Sequence, residues 1–158
     1  MELNIRNLDR LRIELAAESA DSRALVDDLQ NNPVCSVSVE EAVPCVLVVW
    51  HRYATSAQLR FVHETIIELL TRHGLSKVLG DDTQLSALPA EDQRWIRDDW
   101  LPRAVAAGLK TAASKRSSHH FGQVALEALQ TKLRGKLLIN TFDDFQAARQ
   151  WLQGVASS

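Results

Sequence analysis

The stretch Pro44-Cys45-Val46-Leu47-Val48-Val49-Trp50 decides the fold, because every position in it is apolar. A half-exposed strand alternates apolar and polar residues, whereas a strand covered on both faces reads as a continuous apolar run. The stretch therefore predicts a strand in the middle of a sheet, with helices on either side. Just before it, Cys35, Val37 and Val39 alternate with serines, which predicts an edge strand that forms a hairpin about residues 40–42.

A helix is predicted directly after this strand. Thr55-Ser56-Ala57-Gln58 is a capping box, in which the hydroxyl and the amide side chain each satisfy a backbone group of the other. Gly74 is a typical helix end. Between them the apolar residues recur at helical spacing: Leu59, Val62, Ile66, Leu69 and Leu70.

Further helices and strands alternate along the rest of the chain. The pattern predicts strands at 77–80, 109–114 and 136–140, and helices from Pro89 through Ile96, from Ser117-Ser118 and from Thr141. Pro102 would kink an uninterrupted helix, so a break or a new helix cap is predicted before it. Four alternations of strand and helix predict a mostly parallel sheet in an α/β fold.

The overall composition is that of one domain of ordinary size, with 158 residues, of which 46% are hydrophobic and 24% charged. Residues 32–158 are predicted to form the α/β domain. Residues 1–31 form an N-terminal extension, in which the spacings of Leu8, Leu11, Leu15 and of Leu25, Leu29 favour amphipathic helix.

Charge, hydropathy and cysteine content exclude several classes of protein. A net charge of -2 does not suit binding to nucleic acid. The longest apolar run, residues 43–50, is too short to span a bilayer, and charges at the N-terminus do not suit a signal peptide. A cytoplasmic protein is expected. Cys35 and Cys45 suit neither a disulfide framework nor a zinc site, and the predicted hairpin places both on one face.

Three segments together resemble one known family. They are the valine-rich strand with its capped helix, the stretch from Glu91 to Ala104 with Gly108, and the ending from Phe142 to Leu152. Over roughly residues 35–153 the chain resembles the bacterial STAS/CRAL-TRIO-like proteins, also called SpoIIAA-like, whose functions are largely uncharacterised. The resemblance implies a mixed sheet of about five strands with one antiparallel edge strand. Better-studied STAS relatives bind protein partners and are phosphorylated on Ser or Thr after a central strand. Thr83 is the nearest position, without the Asp-Ser-Ser-Gly type of signature.

Polar side chains follow the predicted strands at the end where open α/β sheets bind ligands. These strand-end candidates are His51, Arg52, Tyr53, Asp81, Asp82, Thr83, Lys115, Arg116, Ser117, Ser118, His119, His120, Asn140 and Thr141. The basic run from Lys115 to His120 surrounds a predicted helix start, which suits an anion or phosphate. Loops of this composition are common at helix starts, so a plain cap with solvated neighbours is favoured.

The four tryptophans divide into two predicted groups. Trp50 and Trp151 lie on apolar faces, which predicts core packing. Trp95 and Trp100 stand among charged residues, with Arg103 nearby, which favours a pocket or a partner contact.

The sequence contains no motif that specifies a chemistry. Asp81-Asp82 is interpreted as a turn and cap rather than as paired catalytic or magnesium-binding carboxylates, and His119-His120 lacks a third metal ligand. No cofactor is predicted. An enzyme would require His51, Asp81, Asp82 and His119 to converge on one cavity.

Two functions remain. The favoured one is a non-enzymatic protein-interaction or regulatory module, as a homodimer or with another protein. The alternative is a domain that binds a small apolar or anionic ligand, in the manner of a lipid carrier or sensor.

Overall fold

The computed structural model describes residues 35–52, 54–85, 88–115 and 135–156. They contain a five-stranded sheet of β1 (Cys35–Glu40), β2 (Cys45–Trp50), β3 (Lys77–Asp81), β4 (Thr111–Lys115) and β5 (Leu138–Phe142). The strand order is β1-β2-β3-β4-β5; β1 pairs antiparallel with β2, and the other pairs are parallel. The predicted α/β fold, with a mixed, mostly parallel sheet and an antiparallel edge strand, is confirmed.

Helices pack on both faces of this sheet. They are α1 (Ser56–His73), α2 (Ala90–Trp95), α3 (Leu101–Ala106) and α4 (Phe145–Gly154), and a π-helical turn, Ile96–Trp100, joins α2 to α3. None of the helices in the described ranges is long and apolar enough to cross a membrane. The residues predicted to start a helix at Ser117-Ser118, and the N-terminal extension 1–31, lie outside the described residues.

The valine-rich stretch forms β2, an interior strand that lies between β1 and the central strand β3. Val46, Val48 and Trp50 are buried on the face that packs against α1, here called the α1 face. Cys45 is buried on the opposite face, here called the α4 face, together with Leu79 of β3. The prediction that this apolar stretch forms a strand covered on both faces is therefore confirmed.

The two cysteines lie on opposite faces of the sheet, and the prediction that they share a face is wrong. Cys35 pairs with Trp50, so its side chain lies on the α1 face, whereas Cys45 pairs with Glu40 and lies on the α4 face. The reason is register. With the hairpin loop closed between Glu40 and Cys45, an odd position of β1 opposes an even position of β2.

Helix α1 begins and ends as its sequence predicts. The Thr55 hydroxyl accepts from the Gln58 backbone N–H at 3.2 Å, and the Thr55 N–H donates to Gln58 Oε1 at 2.9 Å. Gly74 closes the helix with φ of 61°, a left-handed conformation that only glycine adopts without strain.

The break predicted before Pro102 takes the form of a change in helix type: α2 ends at Trp95 and α3 begins at Leu101 after a π turn, with no gap in the helical backbone. Proline removes one backbone donor and crowds the carbonyl four residues earlier. Here the preceding turn is a π turn, in which the Leu101 N–H donates to the Ile96 carbonyl five residues back. The wider turn places Pro102 at the start of α3, where its missing donor is harmless.

The last helix begins later than predicted. β5 continues to Phe142, so Thr141 lies within the strand and does not cap a helix. Asp144 is the cap, and its carboxylate accepts from the Ala147 N–H at 2.9 Å. Thr141 and Asp144 are both good cap formers. Thr141 pairs with Ser114 in the sheet, so the helix begins after Asp144.

Candidate functional site

One row of side chains crosses all five strands on the α4 face, at the carboxyl ends of the parallel strands. Strand register places Ser36 opposite Val49, Val49 opposite Asp81, Asp81 opposite Lys115, and Lys115 opposite Phe142. We call these five residues the crest row. His51 and Thr83, which follow β2 and β3, hydrogen-bond to it.

The polar members of the crest row hydrogen-bond to neighbouring side chains. His51 Nε2 lies 2.6 Å from Ser36 Oγ. Thr83 donates from its hydroxyl to Asp81 Oδ1 at 2.5 Å and from its backbone N–H to the same oxygen at 3.0 Å. Lys115 Nζ donates to Thr83 Oγ1 at 2.5 Å. The ammonium and the carboxylate are thus joined through one hydroxyl, which fixes their positions before any ligand or partner arrives.

Between these polar groups lies one apolar residue, Val49. Val49 is half-exposed although β2 is an interior strand, and it belongs to neither of the two hydrophobic clusters formed by the described residues. Helix α4 packs mainly on β4, and also on β3 and β5. α4 also contacts β1 and β2 away from the crest row, where Arg149 pairs with Glu40 and Cys45 is buried in one cluster with Leu152.

Asp82 lies on the opposite face of the sheet from Asp81. Its Oδ1 is 3.4 Å from the point where a side chain on Gly80 would begin, and Ser114 Cβ is 3.5 Å from that point. Burial, and secondarily the charge of Asp81, raise the pKa of Asp82 to about 7. On this side the Cys35 thiol has a pKa raised well above its ordinary value, by burial first and by the Asp82 charge second.

Of the four residues that an enzyme was predicted to need, His51, Asp81 and Asp82 lie in the described ranges, and their convergence with His119 stays a prediction. His51 hydrogen-bonds to Ser36, and Asp81 hydrogen-bonds to Thr83. Within the described residues, no hydrogen bond joins His51, Asp81 and Asp82 to one another. Four predicted strand-end residues lie outside the described ranges, together with the two serines: Tyr53, Arg116, His119, His120, Ser117 and Ser118.

The strand order also differs from that of sheets with a ligand crevice. Such a crevice forms where the strand order reverses and neighbouring crossovers diverge. β2 to β5 follow one another without a reversal. The predicted strand-end groups therefore lie along an edge of the sheet, and Asn140 and Thr141 lie within β5, where Asn140 Oδ1 accepts from the Thr141 N–H.

Trp100 is a core residue, which corrects the prediction that it contacts a partner. It is 6% exposed, its indole N–H donates to the His63 carbonyl at 2.7 Å, and its ring meets the His63 ring edge to face at 4.7 Å. Asp98 and Asp99 are exposed on the same π turn. The charges flanking Trp100 thus face outward while the indole faces inward, a difference that sequence proximity does not reveal.

Trp95 remains half-buried and lies between two arginines. Arg60 and Arg103 place their guanidinium carbons 5.1 Å and 5.9 Å from the indole ring. Arg103 donates to both Glu64 oxygens, at 2.8 Å and 2.5 Å, and to Asp99 at 2.8 Å. These bonds, those to Glu64 first, raise the pKa of Arg103 above its ordinary value. Since Arg103 already binds two carboxylates, it is a weak candidate for capturing another anion.

His63 joins the tryptophans and was missed by the sequence patterns. Its ring lies 6.2 Å from the Trp50 ring and 6.0 Å from the Trp95 ring. Its Nδ1–H donates to the Leu59 carbonyl at 2.8 Å. Burial lowers the pKa of His63 to about 4, so the ring is neutral at physiological pH. Trp50 is buried as predicted, and Trp151 is half-buried against Phe142, with ring centroids 5.8 Å apart.

No family model, curated protein or solved structure matches this chain. Among the residues that the structure describes, no group of three or more His, Cys, Asp or Glu side chains could hold a metal ion. The resemblance to STAS/CRAL-TRIO-like proteins stays a prediction, and any function has to be argued from the geometry of the site.

Proposed function

We propose that this chain is a non-enzymatic interaction module, and that it binds a second copy of itself through the crest row. A regulatory role, as in the STAS relatives that it resembles, fits such a module. The observation that carries the proposal is the partly exposed Val49, which lies in the crest row between the polar residues Ser36 and Asp81.

The composition of the crest row supports this proposal. Protein interfaces combine an apolar centre with a polar rim, and Val49 is flanked by Ser36 with His51 on one side and by Asp81 with Lys115 on the other. A two-fold symmetric dimer needs a surface that complements itself. A row that carries both an ammonium and a carboxylate meets that condition, since each group can face its opposite in the other copy.

The hydrogen bonds within the row support the proposal, because they prearrange its polar side chains. Here the Asp81, Thr83 and Lys115 side chains form one chain of short hydrogen bonds. Prearranged side chains of this kind lose little conformational entropy on binding.

Val49→Lys tests the proposal by placing a charge in the crest row, between Ser36 and Asp81. Sedimentation velocity over a range of concentrations should show reversible association of the wild type. The variant should associate about tenfold more weakly, the usual consequence of disrupting the centre of an interface. Ser36→Lys, on the edge strand, should act in the same direction and guards against a folding defect in the first variant.

Leu138→Lys is the matched control. Leu138 is 49% exposed and lies at the opposite end of β5 from the crest row, so this charge should leave association unchanged. Equal association of the wild type and both crest-row variants would contradict the proposal. A chain that stays monomeric at every concentration would contradict self-association.

A small anionic ligand is the second candidate, and Lys115 is the observation that favours it. Its ammonium can donate three hydrogen bonds, and one, to Thr83, is made within the described part of the chain. Native mass spectrometry of gently purified protein should then show a retained small mass that Lys115→Met removes. A spectrum that shows only the bare chain would speak against this second function.

A further inference from the structure

We propose that the protonation state of Asp82 controls the crest row: ionisation of this carboxyl releases the turn that follows β3 and so weakens the binding of a second copy. The effect on the second copy rests on the proposed function, whereas the release of the turn does not.

The turn after β3 connects Asp82 directly to the hydrogen bonds of the crest row. The Leu85 N–H donates to the Asp82 carbonyl at 3.0 Å, and the Asp82 N–H donates to the Lys115 carbonyl at 3.0 Å. The next residue, Thr83, links the Asp81 carboxylate to the Lys115 ammonium through its hydroxyl. Because Thr83 follows Asp82 in the backbone, a movement of Asp82 displaces this hydroxyl, and its two hydrogen bonds weaken steeply with distance and angle.

The Asp82 carboxyl lies in surroundings that suit its neutral form. Its Oδ1 is 3.4 Å from the point where a side chain on Gly80 would begin, and Ser114 Cβ is 3.5 Å from the same point. Continuing the pairing of β2 with β3 by one residue places Asp82 beside Trp50, which is 4% exposed. Glycine, serine and tryptophan carry no positive charge, and partial burial of a carboxylate beside them is unfavourable.

The titratable groups of the neighbouring elements act in the same direction. Burial first, and the charge of Asp81 second, raise the pKa of Asp82 to about 7. From β1 and α1, the groups on this face are the Cys35 thiol, whose pKa burial and the Asp82 charge raise, and His63, whose pKa burial lowers to about 4. Three further groups lie in the crest row or follow β2: Lys115, His51 and Arg52. The described charge that most affects the Asp82 pKa is therefore that of Asp81, which has the same sign as ionised Asp82.

Movement of the turn relieves this unfavourable charge. Thr83 and Gln84 are exposed and Asp82 is half-buried, so the carboxylate reaches water when residues 82–85 swing outward and the sheet stays paired. The movement breaks only the hydrogen bonds of this turn to itself, to Asp81 and to Lys115. A local opening of this size costs far less free energy than global unfolding.

Release of the turn affects the polar part of the crest row beside Val49. Asp81 and Lys115 are then no longer joined through Thr83, and ordering them again opposes the binding of a second copy. With an Asp82 pKa of about 7, about nine copies in ten are neutral at pH 6 and about one in ten at pH 8. Apparent affinity falls with the fraction of molecules in the binding-competent state. Association should therefore weaken at least tenfold between these pH values.

Amide hydrogen exchange by NMR tests the release of the turn, in the full chain at a concentration too low for association. The amides of residues 82 and 85 are measured at pH 6 and pH 8, and each rate is compared with the intrinsic rate at the same pH. Protection should fall about tenfold at pH 8 in the wild type. It should stay constant in Asp82→Asn, whose side chain has the shape of the neutral carboxyl. Asp98→Asn, which removes an exposed carboxylate of the π turn, should behave like the wild type.

Sedimentation velocity at the same two pH values tests the effect on association. The dissociation constant of the wild type and of Asp98→Asn should rise at least tenfold at pH 8, and that of Asp82→Asn should change much less. Histidine also changes charge in this range, and His51 hydrogen-bonds to Ser36 of the crest row. Because His51 is present in all three chains, its contribution is the change that remains in Asp82→Asn.

Equal pH dependence of the wild type and Asp82→Asn, in exchange and in sedimentation, would overturn the inference. The two experiments also separate it from the proposed function. Protection that falls with pH in the wild type but not in Asp82→Asn, without association at any pH, supports the release of the turn and contradicts the dimer. Association that depends on Val49 but neither on pH nor on Asp82 supports the dimer and contradicts control of the crest row by Asp82.

Discussion

Asp82→Asn is expected to stabilise the folded protein, and to do so more at about pH 8 than at about pH 5. The folded state holds the Asp82 pKa at about 7 against 3.8 for an unperturbed carboxyl, chiefly by burial and secondarily through the charge of Asp81. The folded protein therefore binds this proton more tightly than the unfolded chain does. Its stability falls as the pH rises from about 4 to about 7. Asparagine resembles the neutral carboxyl and does not titrate.

The size of the effect follows from the pKa difference. A rise from 3.8 to about 7 corresponds to about 4 kcal/mol for a fully buried group. Asp82 is half-buried by accessible surface, and solvent screening reduces the effect to about 2 kcal/mol above pH 7. At pH 5 the stabilisation by Asp82→Asn should be about half as large, because the carboxyl is mostly protonated in the folded protein and mostly ionised in the unfolded chain at this pH.

The assay is urea unfolding of the wild type and the variant at several pH values, followed by tryptophan fluorescence. Trp50 is buried on the same side of the sheet and reports the transition. The variant should gain about 1 kcal/mol relative to the wild type between pH 5 and pH 8. Asp98→Asn, which removes an exposed carboxylate, is the control and should give a profile parallel to that of the wild type. A difference between Asp82→Asn and the wild type that is independent of pH, or that has the opposite slope, would refute the reasoning.

Three further predictions concern stability. Burial lowers the pKa of His63 to about 4 in the folded protein. The unfolded chain therefore takes up this proton first as the pH falls, and the free energy of unfolding should drop by about 2 kcal/mol between pH 7 and pH 5. In thermal scans, His63→Phe should make stability less dependent on pH over this range. Lys77 is 3% exposed, and its ammonium donates to two carbonyls at the end of α4, at 2.8 Å and 2.5 Å. Lys77→Met should lower the free energy of unfolding by about 3 kcal/mol and speed amide hydrogen exchange in α4. An equal increase in exchange in α1 would argue against a role for Lys77 in capping α4. Thr55→Ala should lower the unfolding free energy by about 1 kcal/mol, whereas Thr71→Ala, exposed on the same helix, should change it little.

The corrected position of Trp100 changes how it can be used experimentally. Because its indole is buried and hydrogen-bonded to the His63 carbonyl, Trp100→Ala should destabilise the fold by about 3 to 5 kcal/mol. Loss of association in that variant would report unfolding rather than an interface. Val49, half-exposed in the crest row, is the better position for testing a contact.

The sequence alone determined those features that depend on local pattern. The apolar run from Pro44 to Trp50 identified an interior strand, since only cover on both faces removes the alternation. The Thr55 and Gly74 caps of α1 were predictable, because cap geometry involves residues within one turn of each other. The α/β class and the edge strand followed from the alternation of such elements.

The tertiary structure decided what depends on register and on which way a side chain faces. A shift of one residue in a hairpin moves a side chain to the other face of the sheet, and for this reason Cys35 and Cys45 were wrongly placed together. The π turn at Ile96–Trp100 turned Trp100 inward beside two exposed aspartates, which no local pattern distinguishes. The crest row joins residues from five strands. Its members lie far apart in the chain, and only the pairing of the strands brings them into one line.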